Sequence, residues 1–288
     1  MTRTPSLLLL TAAAMCAFAA NSVLCRLALA SPEIDPASFT AIRLASGAIM
    51  LAIIVAARSG GVAILAKAGD WRSAFALFAY AAAFSFAYVT LDAKTGALIL
   101  FGVVQATMIG VGLARGERLS FTQTVGALAA AGGLVYLLAP GLHAPSPIGA
   151  ALMAAAGAAW GAYSLFGRSA KSKQHEPAFV TAGNFVRAAP MGLLLLAPFA
   201  GALHLETSGV LLAIASGALT SGLGYVIWYA ALKGLSASEA AIVQLTVPVI
   251  AAAGGMLFIH EALSLRFIIA AVAILGGVAI VLSAKRAT

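Results

Sequence analysis

The chain has 288 residues, of which 62% are hydrophobic and only 9% are charged, and its formal net charge is +8. Soluble domains carry roughly 25% charged residues, so this composition leaves too little polar surface for a protein surrounded by water. The cations stand singly or in small groups between apolar runs, which argues against nucleic acid as a partner. The predicted surroundings are a lipid bilayer.

The first apolar run covers residues 6–30 and follows Arg3. Within it, Ala17-Phe18-Ala19 resembles the cleavage site of a signal peptide. The run continues through Leu29, however, and has a counterpart later in the chain. It is therefore predicted to remain as a membrane span.

Runs of about twenty apolar residues mark spanning helices, and turn residues or charges separate ten of them here. The runs cover residues 6–30, 35–57, 71–91, 94–114, 120–139, 147–169, 177–200, 208–232, 237–258 and 264–284. The weakest boundary is Asp92-Ala93-Lys94, between the third and fourth runs. The predicted fold class is an all-α polytopic membrane protein with ten transmembrane helices.

The cations predict the orientation of these spans. With the N-terminus inside, twelve Lys and Arg residues fall on the inner side, and three, Arg26, Lys94 and Arg266, fall on the outer side. The positive-inside rule then places both termini in the cytoplasm, as in a multi-pass protein of the inner (cytoplasmic) membrane. The remaining two cations, Arg43 and Arg187, fall within apolar runs.

Two halves of the chain resemble each other, and each half holds five runs. Four stretches match in order; the first match has an offset of 142 residues, and the other three share an offset of 144, half the chain length. The matches are Phe18–Arg26 with Trp160–Arg168, Glu117–Ser120 with Glu261–Ser264, Gly132-Gly133 with Gly276-Gly277, and Arg43 with Arg187. Because five is odd, the second half, residues 144–288, would enter the membrane from the side opposite to residues 1–143. The alternative is coincidence among helices rich in Ala, Gly and Leu.

Ten spans in two halves, each with a Gly-Glu-x-Leu-Ser-like stretch before its last helix, resemble the drug/metabolite transporter superfamily, EamA type. The stretches are Gly116–Ser120 and His260–Ser264, the second departing from the pattern at His260. The resemblance covers essentially the whole chain. It implies two inverted five-helix repeats around a central cavity and transport of a small organic substrate.

Ionisable residues inside spans are the default functional candidates, but all nine carboxylates and all four histidines fall in loops or near helix ends. The sequence therefore predicts no metal site and no cofactor. No deep Ser or Thr has an evident base beside it, so the chain is not predicted to be an enzyme. A proton-coupled carrier would also need a titratable group in the pathway, which suggests transport without a coupling ion.

Aromatic and amide side chains within the runs are the candidate substrate-binding groups. They are Asn21, Tyr80, Phe84, Trp160, Tyr163, Asn184, Trp228 and Gln244. Buried Trp and Tyr need partners for their polar tips, and amides cannot remain unsatisfied in hydrocarbon. The alternative for any one ring is helix packing or contact with lipid.

Arg43 and Arg187 have two interpretations. Either they face the cavity and attract a substrate carboxylate, or they bind helix C-terminal carbonyls or extend toward an interface.

The predicted function is secondary transport, most readily export of aromatic or hydrophobic amino acids by alternating access. The alternatives are a broader exporter of drugs and metabolites and, in a different class, a membrane enzyme or a helical scaffold. The oligomeric state stays open.

Overall fold

A computed structural model describes residues 5–31, 33–114, 116, 118–139, 141, 144–167, 175–235, 240 and 243–283. These residues are overwhelmingly helical. The α-helices are α1 (Pro5–Ala30), α2 (Pro36–Ser59), α3 (Ile64–Lys67), α4 (Trp71–Tyr88), α5 (Ala93–Ala114), α6 (Phe121–Leu138), α7 (Pro147–Phe166), α8 (Pro177–Leu194), α9 (Thr207–Leu232), α10 (Val247–Ile259) and α11 (Leu265–Ser283). A 3₁₀ helix, Ala197–Ala202, follows α8.

Seven of these helices, α1, α2, α5, α6, α7, α9 and α11, are long and apolar enough to cross a membrane. By length and composition they fit a multi-pass membrane protein. The other three predicted runs contain α4 and α8, which are more polar, and α10, which has 13 residues. The predicted run 177–200 ends early as an α-helix, at Leu194, and the loop after α2 contains the short α3. Ten crossings therefore remain a prediction.

The breaks between helices follow local capping chemistry. Asp35 precedes Pro36 at the start of α2, and its Oδ1 accepts a hydrogen bond from the Ser38 N–H at 2.8 Å. Partial burial raises the pKa of the Asp35 carboxyl, but hydrogen bonds from Ser38, His204 and Ala37 outweigh this and leave the pKa below its usual value. At the other end of α2, Gly60 adopts a left-handed φ of 73°, which ends the helix.

Helices of the first half pack mainly on helices of the second. α4 and α5 lie against α7, α2 lies against α8 and α9, α1 lies against α9 and α10, and α6 pairs with α11. The largest fully buried side chains, including Phe39, Phe84, Phe101 and Phe185, fill the region between the two halves. The centre of the bundle is therefore an interface between the halves of the chain.

α9 changes character in its middle, where Ala215–Leu223 forms a π-helical segment. This segment approaches α2 so closely that a Cβ at Gly217 would overlap the carbonyl of Arg43 and the hydroxyl of Ser46. π-helical turns are rare and often lie at functional sites. Here the segment turns Ser216, Thr220 and Ser221 toward the bundle centre, where all three are buried.

The α6–α11 contact predicts opposite effects for neighbouring glycines. A Cβ at Gly133 would lie 2.7 Å from that of Ala273, and one at Gly277 would meet the Gly126 carbonyl, whereas Gly132 and Gly276 face open space. Gly133→Ala and Gly277→Ala should each lower stability by about 1–3 kcal/mol through overpacking. Gly132→Ala and Gly276→Ala are the matched controls and should be neutral or stabilising. Unfolding temperatures in detergent test this, and equal effects within each pair would contradict the packing described.

The orientation predicts which loops are accessible from each side. Five helices, α4 to α8, separate Gly61 from Ser208, so the two positions should lie on opposite sides of the membrane if each helix crosses it. In a background with Cys16→Ala and Cys25→Ala, Gly61→Cys should react with an impermeant maleimide only from the cytoplasmic side. Ser208→Cys should react only from the opposite side. Labelling of both from one side would contradict the inverted arrangement.

Candidate functional site

A cavity of about 670 Å³ enters the bundle from the end where α2 and α9 finish and α8 begins. Its mouth carries Arg58, His175, Glu176 and Lys233. Arg58 Nη1 lies 3.4 Å from Glu176 Oε1, and both side chains are largely exposed. This volume falls within the range of small-molecule sites, roughly 300–1,000 Å³. The positive-inside rule predicts that this mouth faces the cytoplasm.

Five of the predicted site residues line this open cavity: Trp160, Tyr163, Asn184, Trp228 and Gln244. Gln105, a buried amide that we did not select from the sequence as a site residue, lines it as well.

Several of the cavity's polar groups form one network. Thr181 donates to the Tyr229 hydroxyl at 3.0 Å, and Asn184 Nδ2 donates to the Tyr163 hydroxyl at 3.4 Å. Asn184 Oδ1 also accepts from the Asp70 N–H at 2.9 Å, which ties the network to the start of α4. The wall is thus aromatic with fixed hydroxyl and amide groups, a combination suited to an amphipathic ligand.

Four rings close the inner end of this cavity, and we call them the aromatic floor: Phe18 of α1, Phe101 of α5, Trp160 of α7 and Tyr225 of α9. Ring centroids are 6.0 Å apart for Phe18 and Trp160, 5.5 Å for Phe101 and Trp160, and 5.7 Å for Phe18 and Tyr225. Edge-to-face pairs at such distances are mutually attractive. Two rings of the floor come from each half of the chain.

Behind the aromatic floor lies a second, much smaller space of about 10 Å³, which we call the inner chamber. The remaining predicted site residues, Asn21, Tyr80 and Phe84, line the inner chamber together with Arg43. The sequence led us to expect a single cavity. The structure instead divides the candidate residues into two groups, because Phe18 and Phe101, not selected from the sequence, pack on Trp160 between them. Tyr80 still reaches Trp160 from the far side, with centroids 4.9 Å apart.

The two arginines within the predicted spans differ in their surroundings. Arg187 donates to the carbonyl oxygens of Leu65, Ala66, Ala68 and Gly183 at 2.7–3.1 Å. It therefore has the carbonyl-binding role that the sequence left open, holding α3 against α8, and it does not line either space among the described residues. Arg43 is 3% exposed and points to Tyr80 and Ser221.

The opposite end of the bundle is closed by contacts between the two halves. Glu261, in the loop before α11, accepts from the Ala93 N–H at 2.8 Å and lies 3.4 Å from Lys94 Nζ; both charged side chains are buried. Nearby, the backbone of Ile34 forms an antiparallel bridge with that of Leu205, and the Asp35 carboxylate accepts from the His204 N–H at 3.0 Å.

Sequence reasoning missed the role of Glu261 and Lys94, because Glu261 was placed in the break before the last predicted run and Lys94 at the start of the fourth run. The repeated Glu-x-Leu-Ser stretch was the available signal.

The helices in the described part of the chain contain no Asp or Glu residue. Glu117 and Glu239 lie outside the described residues. Among the described residues, no three His, Cys, Asp or Glu side chains come together.

Comparison with known proteins agrees with this architecture. Residues 147–283 match the EamA-like transporter family. An uncharacterized protein of Pseudomonas aeruginosa, PA1977, is 52% identical over 278 residues, which cover 96% of this chain and 95% of that protein. An uncharacterized transporter of Archaeoglobus fulgidus is 31% identical over 173 residues, 57% of this chain and 59% of that protein. A solved crystal structure shares the fold, with a TM-score of 0.65 at 22% identity, covering 94% of this chain and 97% of that one.

A helical membrane bundle with a cavity open at one end and closed at the other has the architecture of a membrane transporter. Residues 147–283, slightly less than half of this chain, are thus similar to the EamA-like transporter family of the drug/metabolite transporter superfamily.

We call the end of the bundle opposite the cavity mouth the outer end. The contacts of Glu261 predict that this residue keeps the outer end closed. Glu261→Gln should weaken the link to Lys94 and increase severalfold the rate at which the fully buried Cys25, in a Cys16→Ala background, reacts with an impermeant thiol reagent from the outer side. Glu206→Gln, an exposed carboxylate near the same end, is the control and should leave the rate unchanged. Equal rates for both variants would exclude a gating role for Glu261.

Proposed function

We propose that this protein exports small organic metabolites, most readily aromatic or hydrophobic amino acids, by alternating access. The observation that carries the proposal is the cavity of about 670 Å³, open at the end assigned to the cytoplasm and blocked by the aromatic floor. A helical scaffold has no need of such a cavity. An exporter in its inward-open state requires one.

The lining supports the choice of substrate class. Trp160, Trp228 and Tyr225 offer ring faces on which an aromatic side chain can stack, and Asn184 and Gln244 offer amide groups for a polar backbone. The chain also resembles the YddG aromatic amino acid exporter of this superfamily. The alternative is a broader set of drugs and metabolites, which the size of the cavity would admit.

The proposal includes two inverted five-helix repeats, residues 1–143 and 144–288, in the inner membrane with both termini cytoplasmic. Two observations support it. α6 and α11, the last helix of each half, pair with each other, and Gly133 and Gly277, which match at the 144-residue offset, both lie in their contact. Rocking of one half against the other would open the outer end and close the mouth.

Transport is proposed to run down the substrate's own gradient. The described helices contain no carboxylate that could load and release a proton, and arginine stays protonated at any accessible pH. A zwitterionic amino acid carries no net charge, so the membrane potential gives it little direct drive.

The test is counterflow of labelled phenylalanine into proteoliposomes with no ion gradient and the potential clamped. Exchange should proceed, and an imposed pH gradient should change its rate little. Concentrative uptake driven by protons would contradict the uncoupled mechanism, and absence of exchange for every amino acid would contradict the substrate class.

Trp160→Ala and Trp228→Ala should each lower transport efficiency about tenfold, because each removes a stacking surface from the cavity. Phe258→Ala is the control, since this ring is 68% exposed on the outer surface of the bundle, and it should transport normally. Detergent-extracted yield and unfolding temperature establish that the variants are folded. Normal transport by both tryptophan variants would show that the substrate does not use this cavity.

A further inference from the structure

Three arginines in the described part of the chain bind carbonyl groups at helix ends. Arg26 donates to the carbonyls of Tyr88 and Val89 at the end of α4. Arg187 does the same for α3, and Arg266 donates to the Tyr136 carbonyl near the end of α6. Cations placed at helix C-termini satisfy free carbonyls and the helix dipole, which explains their presence in an apolar protein.

Arg43 has no such role. Its Nη2 donates to the Tyr80 hydroxyl at 2.9 Å, and its Nε lies 3.4 Å from the Ser221 hydroxyl. Its Cζ lies over the rings of Tyr80 and Phe84, at 5.1 and 4.8 Å from their centroids. Its Nη1 is buried and has no hydrogen-bond partner among the residues that the structure describes.

This arrangement leaves a positive charge incompletely balanced. A cation at the bilayer centre costs about 2.5–3.5 kcal/mol on insertion scales, and an unpartnered buried donor adds to that cost. Cation–π contacts with Tyr80 and Phe84 offset part of it. The Nε of Arg26 also has no hydrogen bond among the described residues. This nitrogen, however, lies 4.0 Å from the Glu261 carboxylate. No carboxylate forms an ion pair with Arg43 in the described part of the chain.

The surroundings of Arg43 resemble one side of an anion site. The inner chamber joins its guanidinium to the hydroxyls of Tyr80, Thr220 and Ser221, two of which come from the π-helical segment of α9. At about 10 Å³ the inner chamber has room for about one water molecule. A larger anion can therefore enter only when the aromatic floor moves.

We propose that Arg43 Nη1 binds the carboxylate of the transported substrate once the aromatic floor opens. The inference rests on the proposed function, and it names a free carboxylate as the group that the protein selects. Because the floor takes Phe18 and Phe101 from one half and Trp160 and Tyr225 from the other, rocking of the halves separates the rings. The substrate then passes from the open cavity to the inner chamber, with its carboxylate on Arg43.

The experiment compares phenylalanine with phenylalaninamide, which has the same ring and ammonium group but no carboxylate. Each competes with labelled phenylalanine in counterflow, and the readout is the ratio of the two half-inhibitory concentrations. The wild type should prefer the acid by about tenfold or more, the strength of a hydrogen bond to a charged group. Arg43→Gln and Arg43→Met should bring the ratio close to one, and Arg43→Lys should retain a clear preference for the acid.

Arg187→Lys is the matched control, because Arg187 matches Arg43 at the 144-residue offset but binds carbonyls; it should leave the ratio unchanged. The unfolding temperature of the variants provides a second readout. Removing an unpaired buried cation should not destabilise the protein, so Arg43→Met should unfold near the wild-type temperature. Arg187→Met should unfold well below it.

The outcomes separate the two proposals. Wild-type protein that transports no amino acid would overturn the proposed substrate class and this assignment with it. Transport with an unchanged acid-to-amide ratio in the Arg43 variants would overturn the assignment alone. Arg43→Gln and Arg43→Met variants that fail to fold, as expected for a structural residue, would overturn it as well.

Discussion

The fold depends on one constraint, that a polar group surrounded by hydrocarbon must find its partner inside the protein. Asn21 meets it through the hydroxyls of Ser216 and Thr220, at 2.6 and 3.1 Å. Arg187 meets it through four carbonyls, and Asn184 through the backbone of Asp70. Apart from the bond between Arg187 and Gly183, which both lie in α8, these links join the first half of the chain to the second. The polar groups of this apolar chain thereby determine which helices meet, while the apolar surface drives their insertion.

Because of this constraint, a buried polar group that lacks a partner inside the protein is informative. Arg43 and Arg187 match at an offset of 144 residues, yet Arg187 has four carbonyl acceptors, whereas Arg43 Nη1 has none among the described residues. Gly133 and Gly277, by contrast, keep the same role in one helix contact. Packing between helices tolerates little change because a single methyl group is felt there. A buried charged group whose missing partner can be supplied by a ligand is not constrained in this way. In the proposed repeat, the matched arginines thus differ where one of them, Arg43, lines the inner chamber.

The helices that hydropathy finds most easily were predicted well. The run 6–30 corresponds to α1, and the break before Pro36 carries the Asp35 cap, because both features depend on residues near in sequence. The shorter extents of α8 and α10, the small α3 and the π-helical segment were not predicted. Arg187 of α8 bonds to Ala66, and Ser216 and Thr220 of the π-helical segment bond to Asn21. These partners lie more than a hundred positions away, and hydropathy along the chain does not record them.

Candidate site residues were easier to select than to arrange. Residue type alone pointed to Trp160 and Trp228 within apolar runs, and to Tyr80 and Phe84 spaced four residues apart. Whether they share a cavity depends on Phe18 and Phe101, which resemble any other core phenylalanine in the sequence. Glu261 and Lys94 were misjudged for a related reason. A charged residue in a loop is usually solvated, and only the folded chain brings these two together in a buried pair.

The two barriers across the pathway differ in kind, and this difference determines how the protein can switch. The outer end is closed by hydrogen bonds such as that from the His204 N–H to Asp35 and by the Lys94–Glu261 pair. When these contacts separate, water replaces the partners, so each costs only about 0.5–1.5 kcal/mol net, and the buried ion pair regains hydration. The aromatic floor has no such compensation from water, because its rings are apolar. A substrate ring stacked against Trp160 can replace the contacts that the floor loses. In the proposed transport cycle, the polar closure would therefore open at little cost, and opening of the aromatic floor would depend on a bound substrate.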